Sequence, residues 1–200
     1  MLRGALCLVM ALLTVQSASP RFYVESVEVL TEYDSRYILR RTNQIFSSDS
    51  PSEQRDIDCF VAELKATGIF ADVLTELIPL NNKDLRKVVI STKYVAGVHE
   101  FMIGDVVLSD LPEVDSARFH AALSKRGVAN HTLLLKYSFT ELEERISQAL
   151  RDVYPNTAEK KAIGSAWVTI RSDGLKRVKL IVSPAYLGCD HAFRKLARGT

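Results

Sequence analysis

The residue types able to do chemistry in this chain are few and far apart. The four histidines, His99, His120, His131 and His191, are scattered, and no two stand at metal-ligand spacing. His99-Glu100 begins like the His-Glu-x-x-His of zinc peptidases, but Ile103 occupies the place of the second histidine. Cys189-Asp190-His191 lines up three ligand or nucleophile types, yet adjacent side chains rarely converge on one ion, and a disulfide-bonded tail is the simpler reading. Ser165 lies in Gly164-Ser165-Ala166, without the second glycine of a nucleophile elbow. The sequence has no glycine-rich phosphate loop. We therefore expect no catalytic residue, no metal, no cofactor and no small-molecule substrate: the chain reads as a non-enzymatic protein.

The charge balance narrows the partners. The formal net charge is +2 and no basic block stands out, which argues against nucleic acid. The N-terminus points to export. Met1-Leu2-Arg3-Gly4 carries one positive charge, Ala5 to Val15 is apolar, and Gln16-Ser17-Ala18-Ser19 is small and polar. Those are the three parts of a signal peptide, and the apolar run is short of the roughly 20 residues a spanning helix needs. Residues 1–19 are expected to be the signal, with cleavage after Ser17 fitting best and an uncleaved anchor as the alternative. About 180 residues then remain, enough for one medium domain or two small ones. Two cysteines survive, Cys59 and Cys189, an even pair that invites a disulfide in an oxidising compartment.

The elements that follow fall into two units of similar layout. Phe22 to Tyr33 is rich in aromatic and β-branched residues and reads as a strand. From Ser35 the period changes, with Ile38, Thr42, Ile45 and Phe46 forming a helical stripe. A second helix is predicted from Ser50 as N-cap, with Pro51 at the first helical position and Glu53 closing a capping box. Its inner face carries Ile57, Phe60, Val61 and Leu64, and Gly68 is its left-handed stop. Phe70 to Ile78 and Lys87 to Tyr94 alternate as strands about the polar turn Asn81-Asn82-Lys83-Asp84. The order then recurs: a strand over Phe101 to Leu108, and a helix over Asp115 to Arg126 stopped by Gly127. A helix follows that begins at a Thr140–Glu143 capping box and has Leu142, Ile146, Ala149, Leu150 and Val153 inward. Strands over Ala166 to Arg171 and Arg177 to Val182 close the unit around Ser172-Asp173-Gly174, a hairpin signal. Val128 to Tyr137 reads as either a strand or a buried linker. The expected class is α+β, with two helices on one face of a three-stranded mixed sheet in each unit. The expected divisions are 20–97, 98–184 and a tail over 185–200, with a single continuous domain as the alternative.

One segment carries a family resemblance. Glu63-Leu64-Lys65-Ala66-Thr67-Gly68-Ile69-Phe70-Ala71-Asp72-Val73 resembles the helix-to-strand junction of POTRA (polypeptide-transport-associated) domains. Their pattern is a leucine on the helix, a Thr-Gly pair, an aromatic after one intervening residue and a valine three further on. Leu64, Thr67, Gly68, Phe70 and Val73 match it. The strand–helix–helix–strand–strand order is also that family's. The second unit departs from the pattern, with Ile163-Gly164-Ser165-Ala166-Trp167 where the glycine-aromatic junction would stand. Outer-membrane assembly and two-partner secretion proteins carry such domains ahead of a membrane β-barrel, and the sequence leaves no room for a barrel before Thr200.

The resemblance implies a periplasmic protein whose partners are envelope or outer-membrane proteins, with any membrane contact indirect. It implies binding of extended polypeptide segments by β-augmentation, in which a client strand adds to an open sheet edge. The strand from Phe70 to Ile78 matches the family's edge strand. Phe70 and Val73 would face the core, and Asp72, Leu74 and Glu76 would face outward. The alternative is a scaffold domain that holds a folded partner of an envelope complex and never meets a client. On the helical wheel Cys59 lies away from Ile57, Phe60 and Leu64, beside Ala62 and Ala66. Small residues there would let the tail dock and staple Cys189 to Cys59; the alternative is a partly exposed free thiol.

Overall fold

The structure is a computed structural model describing residues 20–33, 35–46, 50–154 and 166–184. The expected signal over 1–19 and the tail containing Cys189 lie outside these residues. Among those described, no helix is long and apolar enough to cross a membrane.

The chain is α+β and consists of two tandem units of the same strand–helix–helix–strand–strand order, the order expected from the resemblance. The first runs β1 (Tyr23–Leu30), α1 (Arg36–Ile45), α2 (Gln54–Ala66), β2 (Phe70–Pro79), β3 (Leu85–Tyr94). The second runs β4 (Met102–Leu108), α3 (Ser116–Lys125), α4 (Phe139–Val153), β5 (Trp167–Ser172), β6 (Arg177–Ser183). The sheets are ordered β1-β3-β2 and β4-β6-β5. In each, the last strand is central, parallel to the first and antiparallel to the hairpin partner before it.

The two first strands share a detail finer than layout. The β1–β3 register skips one residue between Val24 and Ser26, and the β4–β6 register skips one between Ile103 and Asp105. The skip matters because strand side chains alternate. Without it Val24 and Val27 would point to opposite faces. With it Val24, Val27 and Val29 all meet the core, as do Ile103, Val106 and Leu108 in the second unit.

The helices bury the predicted stripes. Ile57, Phe60 and Leu64 of α2 and Leu142, Ile146, Ala149, Leu150 and Val153 of α4 are buried, with Val61 half-buried. Gly68 follows α2 at φ +70°, the left-handed exit expected of it, and Gly127 follows α3 at φ +75°. Asp115 caps α3 by accepting from Arg118 N–H at 2.9 Å. In the β5–β6 turn Asp173 Oδ1 accepts from Leu175 N–H at 2.8 Å, and Gly174 has φ +79°.

Both predicted capping boxes are displaced. The N-cap of helix α2 lies three residues after Ser50, at Glu53, whose N–H donates to Asp56 Oδ2 at 2.8 Å. The cause is long-range. Ser52 and Phe22 exchange two backbone hydrogen bonds, at 2.7 and 2.9 Å, so this segment is held extended against the start of β1. Helix α4 begins earlier than expected, capped by Ser138, whose Oγ accepts from Glu141 N–H at 3.1 Å. Phe139 thereby enters the first turn, buried against the Tyr37 ring at 4.8 Å, and Glu143 is left for another task. The ambiguous segment is partly each of its readings. Leu133 bridges β4 at Met102, and Leu134–Lys136 is a 3-10 turn with Leu134 buried.

The units do not hang on a linker as separate beads. Val98 and Phe101, in the connection between them, are buried in one apolar cluster that includes residues of both sheets. Glu100 meets Lys176 of the β5–β6 turn, and this contact holds its carboxyl below the usual glutamate range.

Candidate functional site

The candidate site is β2, an edge strand of the first sheet. Gly68 aims the chain into it, and at its start the β2–β3 register skips one residue between Phe70 and Asp72. The skip explains how two POTRA-pattern residues three apart serve one core. Phe70 and Val73 would alternate to opposite faces of a regular strand, yet both are buried. The Phe70 ring packs on Tyr94 at 4.8 Å. Leu64 is fully buried beneath them, and Thr67 Oγ1 donates to Leu64 O at 2.6 Å, closing the helix end.

From Asp72 onward the alternation is regular. Val73 faces the helices, with Thr75 and Leu77 half-buried; Leu74 and Glu76 are exposed and Asp72 is half-exposed. Leu74 is 60% exposed, high for a leucine in a strand. Across the sheet Asp72 stands opposite Lys93, Leu74 opposite Ser91 and Glu76 opposite Val89, with Leu30 and Glu28 of β1 beyond in the same rows. Leu30 is 50% exposed, so two exposed leucines stand on either side of Ser91 in this row. Asp72 Oδ1 accepts from Val73 N–H at 2.9 Å. Among the described residues no backbone group outside the sheet bonds to β2 from Ala71 to Ile78. Pro79, which has no N–H to give, ends the strand.

The equivalent edge in the second unit is β5, and the first unit closes it. Arg41 of α1 donates to Val168 O, and Ser172 N–H donates to Thr67 O at 2.8 Å. Gly68 lies so close that a Cβ on it would stand 2.7 Å from Ser172 Cβ. Only glycine therefore serves there twice over, for its φ and for the approach of the hairpin. Arg40 stacks over the Trp167 ring at 4.2 Å.

Arg41 is the residue the sequence reading missed. It is 2% exposed, 3.6 Å from Glu63 of α2 and 3.6 Å from Glu143 of α4, with its guanidinium 3.7 Å over the Tyr37 ring. Arg40 also contacts Glu143. A buried cation is tolerable only with partners on several sides, and here they come from both units. Burial pushes the Tyr37 hydroxyl up to about 12, and the Arg41 charge partly offsets this. The signal was present: Arg41 stands three residues after Ile38, on the apolar stripe.

Cys59 is 8% exposed on α2 and is disulfide-bonded; Cys189 lies outside the described residues. Among the described residues no group of three His, Cys, Asp or Glu is placed to hold a metal ion. His120 lines an open hollow of about 420 Å³ with Asp105, Ser124 and Asn130.

No protein-family model matches the sequence, and no curated protein matches it. Solved structures of similar layout include POTRA tandems. The chain is 12% identical to POTRA1-2 of the periplasmic domain of Omp85 from Anabaena, over 84% of this chain and 99% of that one, with TM-score 0.32. For Haemophilus influenzae BamA POTRA3-5 the values are 10%, 81%, 60% and 0.33. For CdiB from Escherichia coli they are 8%, 85%, 28% and 0.25. These superpositions are loose, and the POTRA-like fold rests on the strand order and junction residues described above.

Proposed function

We propose that the chain is a non-enzymatic protein of the bacterial envelope, exported to the periplasm, that binds an extended segment of another polypeptide along β2. The segment adds a fourth strand to the first sheet, and the role lies in outer-membrane protein assembly or secretion. The supporting observation is the contrast of edges: β5 is bonded by the first unit at Val168 and Ser172, whereas among the described residues β2 is bonded on one side only and presents Leu74. Backbone pairing provides affinity with little sequence demand, and Phe70, Asp72, Val73, Leu74 and Glu76 shape the groove the added strand meets.

A second reading has its own observation. Asp72 occupies the Val73 N–H, the kind of self-capping that discourages strand pairing, and the units are locked together. Both suit a scaffold domain that holds one folded partner. The staple between Cys59 and Cys189 belongs to either reading.

Photo-crosslinking in the native cells separates the two. A crosslinker replacing Leu74 is compared with one at Leu175, which is still more exposed on the hairpin tip. Adducts with envelope polypeptides at Leu74 and not at Leu175 are the expected result. Equal labelling at both, or a single folded partner captured at neither, overturns strand addition.

A further inference from the structure

Along its free edge β2 presents a short pattern on the solvent face: Asp72, Leu74, Glu76, a carboxylate, an isobutyl group and a carboxylate at every second residue. A strand laid beside β2 sets one side chain opposite each of these, with directly opposite Cβ atoms about 4.5–5.5 Å apart. What those three positions prefer depends on whether the carboxylates are already neutralised.

The neighbours answer this. Lys93 stands opposite Asp72, but Glu76 faces Val89, which brings no charge. Lys87, the next cation along β3, is engaged on the far side by Glu28 of β1. In the Glu28–Val89–Glu76 row Glu28 is thus matched by Lys87, and Glu76, at the outer end, faces only Val89. Among the described residues neither Asp72 nor Glu76 takes part in an ion pair, and the one bond Asp72 accepts, from Val73 N–H, uses Oδ1. On the outer strand the exposed Leu74 is thus flanked by two carboxylates held in no ion pair, in a chain whose formal net charge is +2.

Resting on the strand-addition reading, we infer that the client segment is a basic amphipathic strand: on one face it carries a cation, an apolar residue and a cation at alternate positions. The apolar residue packs on Leu74; the cations pair with Asp72 and Glu76. Acidic strands are rejected, because like charges directly opposite one another destabilise a sheet. The sign of this preference is diagnostic. Attraction by the whole protein, with its positive net charge, would favour an acidic peptide instead.

The test uses fluorescein-labelled strand peptides identical except at three alternate positions, bearing Lys-Leu-Lys, Ser-Leu-Ser or Glu-Leu-Glu, titrated by anisotropy with the whole exported protein. The Lys peptide is expected to bind on the order of tenfold tighter than the Glu peptide, with Ser between, and the gap should narrow as salt rises. The D72N/E76Q protein keeps an acceptor for Val73 N–H and should bind all three alike. D72K/E76K should invert the order, with thermal melts confirming that both variants fold. If all three peptides bind the unaltered protein equally, the charge rule is wrong while strand addition stands. If none binds and Leu74 gives no specific crosslinks, both are wrong.

Discussion

Strands β2 and β5 hold the same place in two units of the same order, yet they meet opposite fates. β2 runs ten residues, carries a register skip at its start and, among the described residues, has one side unbonded. β5 runs six, pairs with β6 without interruption, and has its outer side occupied by Arg41 and Thr67 of the first unit. An edge strand is exposed backbone waiting for a partner. In this tandem the upstream unit bonds to the downstream edge at Val168 and Ser172, while among the described residues nothing outside its sheet bonds to the outer side of β2.

The most severe way to break that contrast is to remove the closing group. Arg41→Met leaves Glu63 and Glu143 buried without their shared cation and frees Val168 O. A loss of about 3–5 kcal/mol is expected, the usual scale for stripping one member from a buried ionic cluster, measured by urea denaturation. Hydrogen exchange at Trp167–Ser172 should rise in the same variant. Adding Glu63→Gln and Glu143→Gln should recover part of the loss, since the two buried carboxylates that faced the lost cation are then neutral; no recovery would show that Arg41 acts by packing alone.

A pH experiment probes the same interface more gently. With the Tyr37 hydroxyl raised from its ordinary 10.0 to about 12, the folded chain holds a proton that the unfolded chain has released. The contribution is intact below pH 10 and is lost as pH climbs from about 10 to 12, a change of about 3 kcal/mol. Tyr37→Phe should abolish that part of the alkaline slope. Because the buried hydroxyl has no hydrogen-bond partner, the same variant should match the parent near pH 7. Persistence of the slope in Y37F would assign it to another group.

Gly68→Ala tests the lower end of the closed edge. A side chain at φ +70° is strained, and the new methyl meets Ser172. We expect about 1–3 kcal/mol of destabilisation and weaker protection of the Ser172 amide. A smaller cost, within about 1 kcal/mol, would mean that the hairpin yields easily and that the closure is loose there. At the open edge the effect on stability should be least. Leu74→Ser removes an exposed side chain and should change stability by no more than about 0.5 kcal/mol, while weakening strand-peptide binding severalfold. Large destabilisation would show that Leu74 is part of the fold and leave the edge without its distinguishing feature.

Much of the molecule was legible in advance because it follows from local periods. The helical stripe through Ile57, Phe60 and Leu64, the alternation through Val88, Ile90 and Thr92, and the left-handed stops at Gly68 and Gly127 depend on residues within a few positions. The helix starts were misjudged where a distant strand intervened. Ser50 has the right chemistry for an N-cap, but Ser52 is bound to Phe22, so the helix waits until Glu53. Ser138, followed by Glu141 three residues later, was an equally good capping signal to Thr140 and Glu143. Phe139 packing on Tyr37 from the other unit supports the earlier start.

The outward set Asp72, Leu74 and Glu76 was readable because side chains in a strand alternate whatever lies beside them. That Phe70 joins Val73 in the core needed the register skip, which is a property of two paired strands. Openness of an edge is more remote still. Arg41 and Val168 are 127 residues apart in sequence, and neither marks the other. A buried arginine on an apolar stripe signals that counter-charges must exist, because an unpaired buried cation is too costly to keep, but not where they come from. Composition and periodicity thus settled the elements and their faces through short-range sterics and burial. Which edge stayed free was decided by how two finished units packed, since only that packing brings charges and backbone groups from distant segments within bonding range.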